Sequence, residues 1–213
     1  LDSTIFCNTL VDRIVPGFPK ETIEQVHTAT GYDDKFVVAA EPFYFWAIEC
    51  PVDIQEELPT HRAALDGVVF AKDITPYRVR KVRILNGTHT AFMPLAYLRG
   101  LRTVKEAMDD PFMENFILDT IRNEIVPTLA LPEPELSAFA SAVADRFRNP
   151  FIKHQLISIA LNSISKFKVR VVPTLTDYIK TKNAVPPNLM VSLAALICFY
   201  RGTWRGELIP LND

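Results

Sequence analysis

Glycine is scarce in this sequence, with seven residues in 213, at positions 17, 31, 67, 87, 100, 202 and 206. No two of them have the spacing of a GxGxxG or GxxxxGK loop, which excludes a self-contained phosphate cradle. Cysteine is scarcer still: Cys7, Cys50 and Cys198 form an odd set without a CxxC pair. Neither a disulfide framework nor a zinc knuckle is indicated, so reduced, partly buried thiols are expected. No two His, Asp or Glu residues stand at a convincing ligand spacing, and no metal is expected. The longest nearly unbroken apolar run, residues 191–200, is about half of the roughly 20 residues a membrane span needs. An excess of one charge is also missing. The 23 Lys and Arg face 25 Asp and Glu, for a net charge of −2, and the basic residues are scattered, which argues against nucleic acid as a partner.

A content of 48% hydrophobic and 23% charged residues is that of a well-buried globular chain. Leu1 is neither an initiator Met nor the start of a signal peptide. The chain therefore reads as cut from a longer, cytoplasmic protein. The 16 prolines divide it into two parts. Residues 1–73 read as strand-rich, with strands at 5–14, 36–48 and 67–71 and a short helix at 20–30. Residues 74–213 read as helical. Thr75-Pro76 opens a helix running to Leu98 with a kink at Pro94, and Thr103 with Glu106 forms a capping box. Asp110-Pro111 opens a helix stopping near Pro127, and Asn149-Pro150 opens one lasting to Lys166. Further helices are expected at 133–147, 173–182 and 187–200. The last is apolar nearly all round, which predicts burial at the centre of the helical domain. The fold class expected is mainly α, a multi-helical domain preceded by a small strand-bearing remnant.

Lys81, Asn86 and His89 share the first of these helices. On α-helical geometry they fall at about 0°, 140° and 80°, an arc that faces one cleft. A lysine, an amide and an imidazole aimed together suit proton transfer at a carbonyl with stabilisation of the oxyanion. The residues alone more readily suit a solvated lysine, an indifferent amide and a satisfied core histidine, since three polar residues on one long helix are common. Asn86-Gly87 in mid-helix costs roughly 1 kcal/mol against alanine, which asks for a packing or functional reason.

Lysine, four residues, asparagine, two residues, histidine resembles the catalytic signature of the long-chain mannitol dehydrogenase family of polyol and sugar-acid oxidoreductases. Residues 8–19 (NTLVDRIVPGFP) resemble its Val-Asp-Arg segment, and Glu41-Pro42-Phe43 falls between the two motifs in the family's order. Residues 146–161 (RFRNPFIKHQLISIAL) and 192–202 (SLAALICFYRG) extend the likeness over the whole chain. The resemblance implies a helical domain like the carboxy-terminal one of 6-phosphogluconate dehydrogenase, behind the remnant of a Rossmann domain whose main part precedes Leu1. It implies an NAD-linked reductase acting on the ketone of a hexulosonate, with a fructuronate- or mannitol-type enzyme as the alternative within the family. A catalytically inactive helical interaction module is the alternative outside it.

On this resemblance Lys81 is the proton donor of reduction, Asn86 an amide donor to the carbonyl oxygen, and His89 a group orienting substrate. Asp12 and Lys166 bind substrate, and Val11 with Asp12 borders the cofactor. The mannitol-specific branch has an arginine eight residues before Lys166; this chain has Ser158. A sugar-acid substrate carries a carboxylate, and Arg13, Arg148, Lys153, His154, Lys166 and Arg170 are the cations available to meet it. His27 and His61 read as surface residues, and Trp46 and Trp204 as packing groups. Without the missing domain the fragment is expected to be inactive.

Overall fold

The computed structural model describes residues 4–18, 20, 22–63 and 65–211, and the chain divides into two compact units, Leu1–Arg78 and Val79–Asp213. In the first, β1 (Asn8–Asp12) precedes α1 (Ile23–Thr30), β2 (Phe45–Glu49) and β3 (Val68–Ala71). The sheet order is β1-β2-β3, with β1 antiparallel and β3 parallel to β2. Asn8 stands opposite Glu49 and Asp12 opposite Phe45. Period-2 alternation makes adjacent residues of β1 differ sharply: Val11 is 60% exposed and Asp12 only 2%.

The strand expected over residues 36–48 is confined to its last residues. The stretch before it is held by isolated bonds in place of a ladder. The Ala39 N–H donates to the Gly17 carbonyl, the Glu41 carboxylate accepts the Ile14 N–H at 2.6 Å, and Arg13 Nε donates to the Glu41 carbonyl at 2.9 Å. Pro42 has no N–H to offer a neighbouring strand. Gly67 allows close contact here, since a Cβ on it would lie 2.4 Å from the Tyr44 ring. The side-chain expectation for His61 lies outside the described residues.

The chain leaves the first unit within α2 (Thr75–Arg80). A π-helical segment, Lys81–Gly87, follows without a break and leads into α3 (Thr88–Leu98), which continues through Pro94. Next come α4 (Val104–Asp109), opened by the Thr103–Glu106 capping box, and α5 (Pro111–Asp119), whose first turn is capped by Asp110 at the Met113 N–H. A second π segment, Thr120–Ile125, and a 3₁₀ turn, Val126–Thr128, end that helix. α6 (Glu133–Phe147), α7 (Leu156–Ala160), α8 (Ser163–Arg170), α9 (Val172–Lys182) and α10 (Pro187–Phe199) complete the bundle. A two-stranded ribbon, β4 (Thr203–Trp204) with β5 (Glu207–Leu208), follows. Ala91 of α3, Phe167 of α8, Val171, Leu175 of α9, and Leu189 and Leu196 of α10 form one core cluster. Each large side chain so buried contributes about 1.5–3 kcal/mol.

Two expectations fail here for definable reasons. The helix expected from Asn149-Pro150 to Lys166 begins only at Leu156. The Asn149 side chain turns the chain at the Phe151 N–H, and residues 154 and 156 pair with 104 and 102 through their backbones. The helix then breaks again at Asn162, which adopts a left-handed φ of 55°. Tertiary pairing overrides local propensity in both places. The second correction concerns α10, which is not central. Leu196 is buried, but Met190, Val191 and Ile197 form an exposed apolar stripe, Ile197 at 63%. α10 meets α3 along one face only.

Its amino terminus is capped from a distance. The buried Glu124 carboxylate accepts the Asn188 and Leu189 N–H groups at 2.7 and 2.8 Å. Burial raises the Glu124 pKa, the two amide bonds oppose that rise, and Asp119 adds to it.

Candidate active site

The π segment changes the geometry expected of the helix that carries Lys81, Asn86 and His89. A π turn closes from residue i to i+5, so residues five apart lie nearly above one another. Lys81 and Asn86 are separated by five positions, and both lie within the segment. Their side chains are thus brought onto one face more closely than α-helical geometry allows, and His89 follows one turn later on α3. The segment is braced on both sides. Arg80 pairs with Glu135 and lies over the Phe139 ring of α6 at 4.5 Å. Arg83 reaches α9, at 2.8 Å from both Asp177 and Thr174.

Gly87 explains the costly Asn-Gly step. An added Cβ would stand 3.1 Å from the Arg170 carbonyl oxygen and 3.3 Å from that of Val82. The end of α8 therefore packs directly on the π segment, and the glycine is a packing requirement. Lys81 and Asn86 are half-buried. Among the described residues the Asn86 side-chain amide has no hydrogen-bond partner, while its carbonyl accepts the Thr90 hydroxyl at 2.8 Å.

His89 is 5% exposed and lies among aromatic rings: Phe147 at 4.3 Å, Phe92 at 5.8 Å and His154 edge-on at 5.1 Å. Its Nε2 and the Nδ1 of His154 are buried without a hydrogen-bond partner. Burial is the main reason the His89 pKa falls well below the ordinary value, and His154, Arg146, Arg170 and Lys81 push it further down. His154 is lowered likewise, by burial first and then by Lys166. Both imidazoles are thus neutral in a strongly positive setting. Lys166 donates to the Ile159 carbonyl at 3.1 Å, and burial lowers the pKa of Arg170.

Lys81, His89, His154 and Lys166 therefore form one continuous electrostatic neighbourhood with Arg146 and Arg170. Arg148, considered for a substrate carboxylate, is instead held by Glu114 at 2.7 Å and Asp145 at 3.3 Å. Arg13 is held by the Glu41 backbone, and Lys153 is exposed. Arg146 was not among the cations singled out from sequence. It follows from the structure alone, where the neighbouring Phe147 packs on His89. Ser158 is exposed. Asp12 and Val11 belong to the other unit. The two tryptophans and His27 are half-buried, and the His27 ring contacts the Asp34 carbonyl at 3.2 Å.

No described turn of this chain leads from a strand through clustered glycines into a helix amino terminus, so a dinucleotide pyrophosphate has no cradle among the described residues. At the end of β1, Val11 is exposed and Asp12 is buried, the two lying on opposite faces of the strand. Among the described residues no group of three or more His, Cys, Asp and Glu is gathered as a metal would need. None of the described helices is long and apolar enough to cross a membrane.

A strand-bearing unit followed by a helical unit is the order of the two mannitol dehydrogenase domains. Residues 73–213 match the mannitol dehydrogenase C-terminal domain and residues 2–60 the mannitol dehydrogenase Rossmann domain, and the chain belongs to that family. Within it the chain is similar to altronate oxidoreductases. It is 50% identical over 212 residues to that of Yersinia pestis bv. Antiqua (strain Nepal516), a match covering 100% of this chain and 44% of the relative. It is also 50% identical over 217 residues to that of Pectobacterium carotovorum subsp. carotovorum (strain PC1), again 100% and 44%. Among solved structures it resembles Pseudomonas fluorescens mannitol 2-dehydrogenase in ternary complex with NAD and D-mannitol, with 30% identity and a TM-score of 0.82. That match covers 98% of this chain and 42% of the other. A D-sorbitol dehydrogenase in substrate-free form gives 25% identity, the same TM-score and the same coverage. The chain thus spans less than half the length of these relatives.

Proposed function

We propose that this chain supplies the substrate-binding and proton-transfer machinery of an NAD-linked oxidoreductase that interconverts tagaturonate and altronate. The observation that carries the reading is the gathering of Lys81, Arg146, Lys166 and Arg170 around the neutral His89–His154 pair. Cationic side chains grouped beside a neutral histidine pair suit a sugar-acid carboxylate better than a neutral polyol. The 50% identity to altronate oxidoreductases over the whole chain supports the same choice.

NADH would supply a hydride to the substrate carbonyl carbon when bound, and Val11 and Asp12 are the residues of this chain that the family resemblance assigns to its nicotinamide end. Lys81 Nζ holds the proton that the carbonyl oxygen takes up as it becomes a hydroxyl, and in the reverse direction Lys81 accepts it. The Asn86 amide donates a hydrogen bond to that oxygen and stabilises its developing charge. Both groups reach one oxygen because the π turn stacks positions 81 and 86. Neutral His89 hydrogen-bonds a substrate hydroxyl, and Arg146, Arg170 and Lys166 hold the carboxylate end.

The test is NADH oxidation by a protein of the relatives' length that carries this chain, offered tagaturonate, fructuronate and fructose. Fastest turnover of tagaturonate is expected. Turnover of none removes the enzyme reading, and a preference for fructose removes the sugar-acid assignment.

A further inference from the structure

We propose that Cys7 and Cys50 form an oxidation site, a thiol pair across β1 and β2 that closes to a disulfide with a hydroperoxide as oxidant. The inference rests on the first unit alone and does not depend on the oxidoreductase reading. The antiparallel ladder begins with Asn8 opposite Glu49, and one residue further out the same register sets Cys7 against Cys50. Directly opposed residues of an antiparallel pair have Cα atoms about 4.5–5.5 Å apart, within the roughly 4.4–6.8 Å that a disulfide spans. Their side chains leave the sheet on the same face. The two thiols do interact. The hydrogen bond to Cys50 is the main reason the Cys7 pKa is raised, with burial second.

Both sulfurs are free and half-exposed, within reach of a small oxidant. Strand alternation puts Cys7, Thr9 and Val11 on one face and Asn8, Leu10 and Asp12 on the other. The new bond would lie on the exposed Val11 side, away from buried Asp12, and would pin the start of the strand that carries both. Cys198 has no second cysteine in its own unit.

The chemistry balances with peroxide alone. The Cys50 thiolate attacks the O–O bond; an S–O bond forms, the O–O bond breaks, and the departing hydroxide takes up the released proton as water. The Cys7 sulfur then attacks the sulfenic sulfur; the S–S bond forms, the S–O bond breaks, and a second water leaves with the Cys7 proton. Two thiols have lost two electrons, and one peroxide has been reduced to two waters. A dithiol reverses the bond by exchange.

The experiment treats the folded chain with a small excess of hydrogen peroxide and follows it by thiol titration and non-reducing peptide mass spectrometry. Free thiols should fall from three to one. The mass should drop by about 2 Da, with the Cys7 and Cys50 peptides joined and dithiothreitol restoring them. The closed loop of about 44 residues should raise the urea midpoint of the first unit in the oxidised wild type, and not in Cys7→Ser or Cys50→Ser. In urea the same treatment should scramble pairing to include Cys198. Oxygen addition to either sulfur without a cross-link overturns the proposal, as does a native-state pairing pattern identical to the scrambled one.

Discussion

Replacing Gly87 with alanine sets two known effects against each other at one site. In an uncrowded helix the change stabilises by about 1 kcal/mol, because glycine alone loses so much backbone freedom. Here the new methyl would lie 3.1 Å from the Arg170 carbonyl oxygen and 3.3 Å from the Val82 one. Relaxed carbon–oxygen contacts lie at about 3.4 Å or more, so both carbonyls must retreat by a few tenths of an ångström. Arg170 ends α8, and the Val171 that follows is buried in the core cluster with its N–H bonded to the Phe167 carbonyl at 2.9 Å. That backbone has little room to yield. Overpacking of this kind costs about 1–3 kcal/mol, which outweighs the propensity gain and leaves Gly87→Ala less stable by about 1 kcal/mol. Urea unfolding followed by far-ultraviolet circular dichroism measures it. A gain in stability approaching the uncrowded-helix value would refute the packing argument, and with it the reason given for an Asn-Gly step beside the candidate catalytic residues.

Acid should destabilise the helical unit early. The unfolded His89 and His154 bind protons below about pH 6.5 while their folded forms resist, so stability is full above that pH and falls below it by at most about 1.4 kcal/mol per pH unit per group. Urea midpoints measured down to about pH 5 should show this, and His154→Gln should reduce the slope. In the enzyme of full length, Lys81→Ala should lower kcat by about 10²-fold with little change in NADH affinity, and retained kcat would remove its assigned role. Asn86→Ala should cost about 2–4 kcal/mol of transition-state stabilisation, and a loss confined to KM would make it a positioning residue. Glu124→Ala should cost about 2–4 kcal/mol by stripping both amide caps from α10, with Glu124→Gln milder; a change under about 0.5 kcal/mol in denaturation would show that the caps contribute nothing. The 213-residue chain should bind NADH too weakly for calorimetry, and a micromolar dissociation constant would reveal a nucleotide site outside the glycine grammar.

The parts of the fold legible in the sequence are those that depend on neighbours along the chain. The Thr103–Glu106 capping box, the Asp110-Pro111 start and the span of α6 follow from cap and turn chemistry within four residues. The parts that were not legible depend on distant partners. Residues 150–155 carry helix-compatible side chains, yet backbone bonds joining His154 and Leu156 to residues 104 and 102 keep this stretch out of the helix. α10 is apolar all round, a pattern that fits a central helix and a helix with one exposed apolar face equally well, and only the packing of α3 against a single face tells them apart.

The candidate site divides in the same way. The Lys81–Asn86–His89 spacing could be read, but its α-helical projection placed Lys81 and Asn86 about 140° apart, too far for one oxygen. The π segment removes that difficulty, and its sequence signal was the Asn86-Gly87 step, whose cause lies 83 positions away at Arg170. Arg146 was hidden for a related reason: its importance comes from Phe147 stacking on His89, a contact between α6 and α3 that no local pattern encodes. A π turn lacks side-chain rules of its own and persists where tertiary contacts hold it. Here the Arg80–Glu135 and Arg83–Asp177 pairs fasten it to α6 and α9. The five-residue interval between the lysine and the asparagine, which suits no α-helical face, is the interval that a braced π turn converts into alignment.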